Sequence, residues 1–424
     1  MKKESRKKYL LKNTIFFSIG NFGSKIINFF LVPLYTNILS ATEYGTIDLM
    51  TILTTVLVPI ITLNLSEAVL RFSLDKGADR EKILNIVTLV SIMTALISIA
   101  MIPVLNIFKI ISPYSLLLAI YILTFSISSI LLCYMRGIEK ILDYSVINII
   151  QTILIATLNI IFLTKFKMGI RGYIIAYIVS YTITIILCFI RGNIIKRLSF
   201  KLDKKLLKEM LKYSVLLIPN SLMWWVMNSM DRVMVTSIIN VEANGIYAVS
   251  YKIPSILTTF TNIFNQAWMY SAVKEKNSKD KDEYTTKVFK ALSIFITTVL
   301  ILILVILKPL LKIYVGNKFY DAWKYVPPLL VGSAILTLGS FLANEYTVHK
   351  DSKGFLFSSL TGAVINLILN IALIPRIGVL GAAVATCISY IVVFLYRVSD
   401  TRKYVKINCK DVNLILSWVL VLIC

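Results

Sequence analysis

Two consecutive stretches, Ile83–Phe108 and Ile110–Met135, contain no charged residue. Each is 26 residues long, more than the roughly 20 apolar residues that an α-helix needs to cross a bilayer core. Similar charge-poor runs recur along the whole chain. They read as spans at 14–38, 45–70, 83–105, 114–135, 144–164 and 172–190, then at 213–238, 246–272, 288–307, 327–348, 355–374 and 380–396. Twelve spans take roughly 240 apolar positions, and 57% of the 424 residues come from the set AVILMFWYC, which supplies about that number. A soluble domain is about 45–50% apolar and about 25% charged; here only 16% is charged. An ordinary soluble protein is excluded.

The charge is lopsided, with 45 Lys and Arg against 22 Asp and Glu, a net +23. Such a balance suits nucleic acid or an anionic membrane surface, and in a chain this apolar the membrane is the expected partner, not nucleic acid. The five cysteines form no CxxC and His349 is the single histidine, so neither a disulfide framework nor a metal centre is expected. The start MKKESRKKYLLK leads into a long segment with polar residues inside it, unlike a short cleavable leader.

Lys and Arg are retained on the cytoplasmic side. With the N-terminus inside, the inner segments hold 33 of them and the outer loops nine. The expected topology is twelve spans with both ends cytoplasmic. Val412–Cys424 is apolar but has only thirteen residues, so it reads as a short interfacial tail or an incomplete thirteenth span.

The chain also resembles itself. Thr36-Asn37-Ile38-Leu39 through Glu43-Tyr44-Gly45 aligns with Thr236-Ser237-Ile238-Ile239 through Ala243-Asn244-Gly245, an offset of 200 that also pairs Asn28 with Asn228. Gly169-Ile170-Arg171-Gly172 with Ser180-Tyr181 aligns with Gly378-Val379-Leu380-Gly381 with Ser389-Tyr390, and Asn159 with Asn370. Corresponding elements lie six spans apart, an even number, so the repeat is parallel. The expected fold is therefore an all-α integral membrane protein, with about twelve transmembrane helices in two six-helix lobes. Residues 1–190 form the N-lobe, 191–212 a basic cytoplasmic linker, 213–411 the C-lobe and 412–424 the tail.

Six charged residues stand out within the spans: Lys25, Glu67, Asp231, Arg232, Lys252 and Glu345. Each costs about 2.5–3.5 kcal/mol at mid-bilayer and is expected to face a bundle interior or wet cavity. Their polar neighbours stand at helical spacing: Asn21 and Asn28 beside Lys25; Asn64 and Arg71 beside Glu67; Asn220, Trp224 and Asn228 before Asp231; Asn262 after Lys252; Asn344 before Glu345. Asn, Ser and Thr also serve as glue between helices, and Glu67 with Arg71, at i and i+4, could be a structural pair. Spans 3, 6 and 9 are more apolar and are expected to face lipid. Cationic groups at Lys25, Arg71, Arg232 and Lys252 suit an anion that crosses the membrane. Glu67, Asp231 and Glu345 can balance that field or bind H+ or Na+ as a coupling ion; no other cofactor is expected.

Several short motifs then resemble one family. Pro219-Asn220-Ser221, Asp231-Arg232 and Gly245-Ile246-Tyr247 are similar to the P…N…DR…G-x-Y pattern of Wzx-type oligosaccharide flippases. Glu43-Tyr44-Gly45, Arg71-Phe72, Arg136-Gly137 and Gly378-Val379-Leu380-Gly381-Ala382-Ala383 fit it too, while Asn64-Leu65 stands where such proteins often carry a glycine. The resemblance implies the multidrug/oligosaccharidyl-lipid/polysaccharide exporter fold and a polyprenyl-pyrophosphate-linked glycan as substrate, flipped from the inner to the outer leaflet. It also implies a bacterial cytoplasmic membrane rich in anionic headgroups, and a polymerase and glycosyltransferases of the same pathway as partners. A pyrophosphate needs cationic partners in a low-dielectric setting, which the span charges supply. A drug exporter of the same fold and a membrane glycan polymerase or glycosyltransferase are the competing readings. No carboxylate pair or phosphate-binding glycine loop supports an enzyme.

Overall fold

The computed structural model describes residues 27–406, apart from 76, 200, 276, 277 and 279. Lys25, Asn21 and the apolar tail 412–424 lie outside the described residues. Within them the chain is helical throughout, with no strand. The order is α1 (Ile27–Ile38), α2 (Ala41–Ile61), α3 (Leu65–Ser73), α4 (Arg80–Ala100), α5 (Ile102–Ile107), α6 (Ser115–Gly137), α7 (Ile141–Ile160) and α8 (Gly169–Gly192). There follow α9 (Ile194–Arg197), α10 (Lys204–Val215), α11 (Ile218–Ile238), α12 (Val241–Ser250), α13 (Lys252–Lys274), α14 (Lys281–Tyr314), α15 (Val326–Val348), α16 (Ser352–Ile377) and α17 (Val379–Asp400).

Among the described residues nine helices are long and apolar enough to cross a membrane. The shorter α1 takes the first place in the row of twelve, and α11 and α13 take the seventh and eighth. The last two fall short in apolarity because they carry the Asn, Asp and Arg residues singled out above. The chain is thus a multi-pass membrane protein.

The chain divides into two compact units, residues 1–39 with 46–222, and residues 40–45 with 223–424. In the first, α6 packs on α3, α4 and α8, and α7 lies on α8. Its largest apolar cluster joins Leu65 and Val69 of α3, Ile83, Leu84 and Val87 of α4, Ile130, Tyr134 and Met135 of α6, and Met210 of α10. In the second, α17 packs closely on α15 and α16, and α13 and α14 lie on α15. Gly381, Ala382, Ala383 and Ala385 are buried on α17; small residues allow close approach where the apolar solvent gives little drive to associate.

The repeat is visible as matched local structure. Ser40 and Glu43 form a capping box at the start of α2, the Ser40 N–H donating to Glu43 Oε2 at 2.9 Å and the Glu43 N–H to Ser40 Oγ at 3.2 Å. Two hundred residues later Asn240 caps α12, accepting from the Ala243 N–H at 2.8 Å. A Cβ on Gly45 would come within 2.0 Å of Val241 O, and one on Gly245 within 1.9 Å of Ala41 O, so only glycine fits at either member of this pair. The second aligned pair, Gly169 and Gly378, both take positive φ, 54° and 64°.

Three features differ from the sequence expectation. Span 2 is two helices, because Leu63 and Asn64 both adopt left-handed φ (51° and 53°). The linker stretch holds a helix that the sequence reading did not place: α10 docks on α3, with Met210 buried and Leu206, Leu207 and Leu211 packed beside it. Of the spans expected to face lipid, the sixth and ninth are among the least buried (33% and 28%), whereas the third (44%) is more buried than the fifth (28%), the first half of α4 being spent on α3 and α6.

Candidate functional site

The centre of the second unit is Asp231, 1% exposed on α11. Its Oδ2 accepts from Tyr247 Oη of α12 at 2.8 Å, from Tyr251 Oη, and from Thr386 Oγ1 of α17 at 3.2 Å. Its Oδ1 accepts from the Arg232 N–H at 2.8 Å. Tyr247 and Tyr251, four residues apart, share a helical face, which brings both hydroxyls to one oxygen. The cage continues outward. Asn366 of α16 donates to Thr386 Oγ1 at 3.2 Å and to Ser389 Oγ at 3.4 Å, and Asn370 donates to Asn366 Oδ1 at 2.9 Å. Asn370 Oδ1 is buried without a hydrogen-bond partner.

Arg232 is half-buried beside this cage. Its Nη2 donates to Asn228 O at 3.1 Å and Ser229 Oγ at 3.2 Å, and its guanidinium lies 5.1 Å from the Tyr251 ring centroid. Tyr251 therefore serves both charges, its hydroxyl on the carboxylate and its π face on the cation. Lys252 follows it directly and opens α13, where Pro254 withholds the N–H that would bond Ser250 O in a continuous helix.

The other expected site residues scatter. Glu67 and Arg71 lie exposed on α3 in the first unit, and Arg71 pairs with Asp75, not with Glu67. Asn64 is buried at the bend before α3. Asn28, Asn220, Asn228 and Asn262 are exposed and Trp224 is half-buried. Asn344 is buried and reaches Asn265 Oδ1 at 3.4 Å. Glu345, also buried, is held by Lys281 Nζ at 2.8 Å, while His349 Nδ1 stands at 3.6 Å. It is a tie between α14 and α15, since Lys281 also donates to Tyr404 O at 3.1 Å.

Sequence reasoning missed Thr386, Asn366 and Asn370, which reach Asp231 from more than 130 residues away and leave no local signal. It missed Asp48, a buried acid on α2, whose place within span 2 was a readable cue. Arg397, counted above among loop residues, is buried in the last turn of α17 and donates to Ser358 Oγ, Ser359 Oγ and Gly339 O at 3.2, 3.4 and 3.1 Å.

Among the described residues no cluster of three or more His, Cys, Asp and Glu side chains could hold a metal ion. The Asp231 cage offers a different donor set, one carboxylate and a threonine hydroxyl, with the Asn366 amide N–H turned to that hydroxyl and the orphaned Asn370 amide oxygen behind it. Hard oxygen donors with a single negative charge fit a proton or a small monovalent cation, not a transition metal.

A membrane protein of two helical units, with a caged carboxylate and an arginine inside a span, has counterparts in fold among solved membrane proteins. Solved structures agree on the fold. The lipid II flippase MurJ in an inward closed conformation superposes with a TM-score of 0.73 at 17% identity, covering 96% of this chain and 92% of that one. An inward-facing multidrug resistance MATE family transporter of the MOP superfamily gives 0.68 at 13% identity over 89% and 97%. A mutant of the Vibrio cholerae MATE transporter VcmN gives 0.61 at 13% over 94% and 97%. In sequence, an uncharacterized membrane protein of Methanocaldococcus jannaschii, MJ1068, is 29% identical over 142 residues, which span 32% of this chain and 27% of that relative. The family described as polysaccharide biosynthesis protein matches residues 10–270. The chain belongs to that family.

Proposed function

We propose that the protein flips a polyprenyl-pyrophosphate-linked oligosaccharide from the inner to the outer leaflet of a bacterial cytoplasmic membrane, by alternating access, to supply cell-surface polysaccharide synthesis. The observation that carries this reading is Arg232, a guanidinium held half-buried in the C-terminal half of α11, within the seventh span. A fixed cation at that depth is costly unless it serves an anion, and a guanidinium meets phosphate oxygens with strong, directional bonds. Family membership in polysaccharide biosynthesis and a fold shared with the lipid II flippase support the same substrate class. Both termini are cytoplasmic in this reading, in keeping with the distribution of Lys and Arg. A polymerase and glycosyltransferases act before and after the step.

Asp231 is the coupling group in this proposal. A proton or Na+ there would be held by Asp231 and Thr386, and would neutralise the carboxylate. Tyr247 and Tyr251 report that change to α12 and, through the Tyr251 ring, to Arg232.

A second reading, export of a cationic drug, is favoured by the MATE structures. The two separate in one reconstituted system. In proteoliposomes, Arg232→Gln should cut flipping of a fluorescent polyprenyl-pyrophosphate saccharide by at least about tenfold with an unchanged melting temperature, and Asp231→Asn should abolish its dependence on Na+ or pH. Wild-type flipping by Arg232→Gln would overturn the site. Uptake of ethidium that Arg232→Gln leaves intact, with no flipping by the wild type, would establish the drug reading.

A further inference from the structure

The end of α14 carries a group of lysines that the site above does not use. Residues 291–344 hold four lysines, Lys308, Lys312, Lys318 and Lys324, and one acid, Asp321. Lys324 takes that acid at 2.9 Å, which leaves Lys308, Lys312 and Lys318 without a local counter-charge. Two elements set their places. Lys308 and Lys312 lie four residues apart in the last turns of α14, on one helical face. Lys318 stands on the short 3-10 helix Asn317–Lys324 that follows, anchored by buried Phe319 and Ala322. Trp323 of that helix lies under Lys308, whose Nζ is 4.3 Å from the ring centroid. Lys318 is five residues from Trp323, about 10 Å of such a helix. The contact thus gathers all three lysines at one end of the unit.

Their depth follows from the length of the span. The 17 residues between Lys290 and Lys308 carry no charge and measure about 25 Å, close to the ~30 Å of a bilayer core. Lys308 therefore falls at headgroup level, and Lys312 about 6 Å beyond it. The surface beside them is not that of a solvated loop. Leu302, Val305 and Ile306 are exposed on α14, and so is Ile313, at 86%. Val305, Lys308 and Lys312 stand at i, i+3 and i+7, so the face that meets acyl chains runs straight into the two lysines. Trp323 joins them at the height where interfacial aromatics stand. Orientation does not call for these charges. Lys and Arg favour the inner side, yet in the expected topology four of the nine outer bases lie in this stretch.

We propose that Lys308, Lys312 and Lys318 hold the phosphate of an anionic phospholipid of the phosphatidylglycerol kind in the outer leaflet, its acyl chains lying along Val305, Ile306 and Ile313. A spanning face meets the bilayer, and a negative headgroup is the part of the bilayer that complements three unpaired ammonium groups. The Trp323 ring restricts Lys308 and holds its charge in place. The site rests on the spanning topology, and not on what the protein transports.

Lipid selectivity beside the patch tests it. In a cysteine-free background, Ile313→Cys carries a bimane, and the full-length protein sits in phosphatidylcholine nanodiscs. These contain a small share of phosphatidylglycerol or of phosphatidylcholine, each spin-labelled on the acyl chain near the headgroup. Quenching reads only lipids within reach of the bimane, so the basic inner surface does not contribute. Labelled phosphatidylglycerol is expected to quench about threefold to fivefold more than labelled phosphatidylcholine. The triple variant Lys308→Gln, Lys312→Gln, Lys318→Gln should bring the two together. Raising NaCl from about 0.05 M to about 0.5 M should do the same, an arm that keeps the lysines and so decides the matter even where the triple variant fails to fold. Equal quenching by the two lipids with the lysines present, or a preference that either the triple variant or high salt leaves intact, overturns the site. So does displacement of the labelled lipid by undecaprenyl pyrophosphate at concentrations where unlabelled phosphatidylglycerol displaces nothing, which would make the patch a subsite for a polyprenyl lipid.

Discussion

A carboxylate at the depth of Asp231 costs about 2.5–3.5 kcal/mol to insert, yet four donors surround it, and hydrogen bonds to a charged group return about 1.5–3 kcal/mol each. The cage therefore offsets the cost of burying this acid through hydrogen bonds. Glu345 meets the same cost by pairing with Lys281, and breaking a buried pair costs about 3–5 kcal/mol; that acid is committed to structure. The sequence shows both as acids in spans and cannot tell them apart, because Lys281 lies 64 residues from Glu345 and Thr386 lies 155 from Asp231. Outside the spans, Asp351 caps α16. The Gly354 N–H, then the Tyr404 hydroxyl and Lys403, hold its carboxyl down at about 2, below the ordinary 3.8. Its contribution to stability is complete above pH 3.8 and is lost as pH falls toward 2. Thermal melting between pH 5 and pH 2.5 should show a loss over that window that Asp351→Asn does not share; identical slopes in both proteins would count against this account.

At the scale of elements, the bend at Leu63 and Asn64 decides where α3 points. Asparagine is the non-glycine residue that tolerates left-handed φ best, so Asn64 does the work of the glycine that the resemblance led one to expect. Asn64→Gly should change stability by no more than a few tenths of a kcal/mol, whereas Asn64→Val should cost about 1–2 kcal/mol, read as melting temperature in detergent. Equal melting of the two variants would mean that the bend is set elsewhere. Most helices were legible from their charge-poor runs. The bend was not, since polar and apolar residues alternate through it without a glycine or proline at the joint. The docking of α10 could have been read from Leu206, Leu207, Met210, Leu211 and Ser214 on one face, but its lysines draw attention to net charge instead. The capped start of α10 explains why it persists: Asp203 accepts from the N–H groups of Lys205 and Leu206 at 3.0 and 3.1 Å, and binds Lys82 at 3.0 Å.

For the molecule as a whole, the expected topology puts 33 basic residues in inner segments and nine in outer loops, which predicts the orientation. In a cysteine-free background, Lys205→Cys should react with a membrane-impermeant maleimide only from the cytoplasmic face, and Lys318→Cys only from outside. The reverse pattern would invert the topology. Two six-helix units were legible as a repeat because Gly45 and Gly245, and Gly169 and Gly378, are places where a side chain or a right-handed backbone would not fit, and such positions keep their identity. The extent of each unit was less legible. The first cluster is completed by Ile194 and Met210, both beyond the sixth span. A ribosome that has just finished α8 has therefore made six spans but not a finished unit: Leu84 and Met135 still lack a neighbour. The first half can close only when about twenty further residues have emerged, up to Met210 of α10. The stretch that joins the halves thus times their assembly, holding the first shut before the second begins to insert.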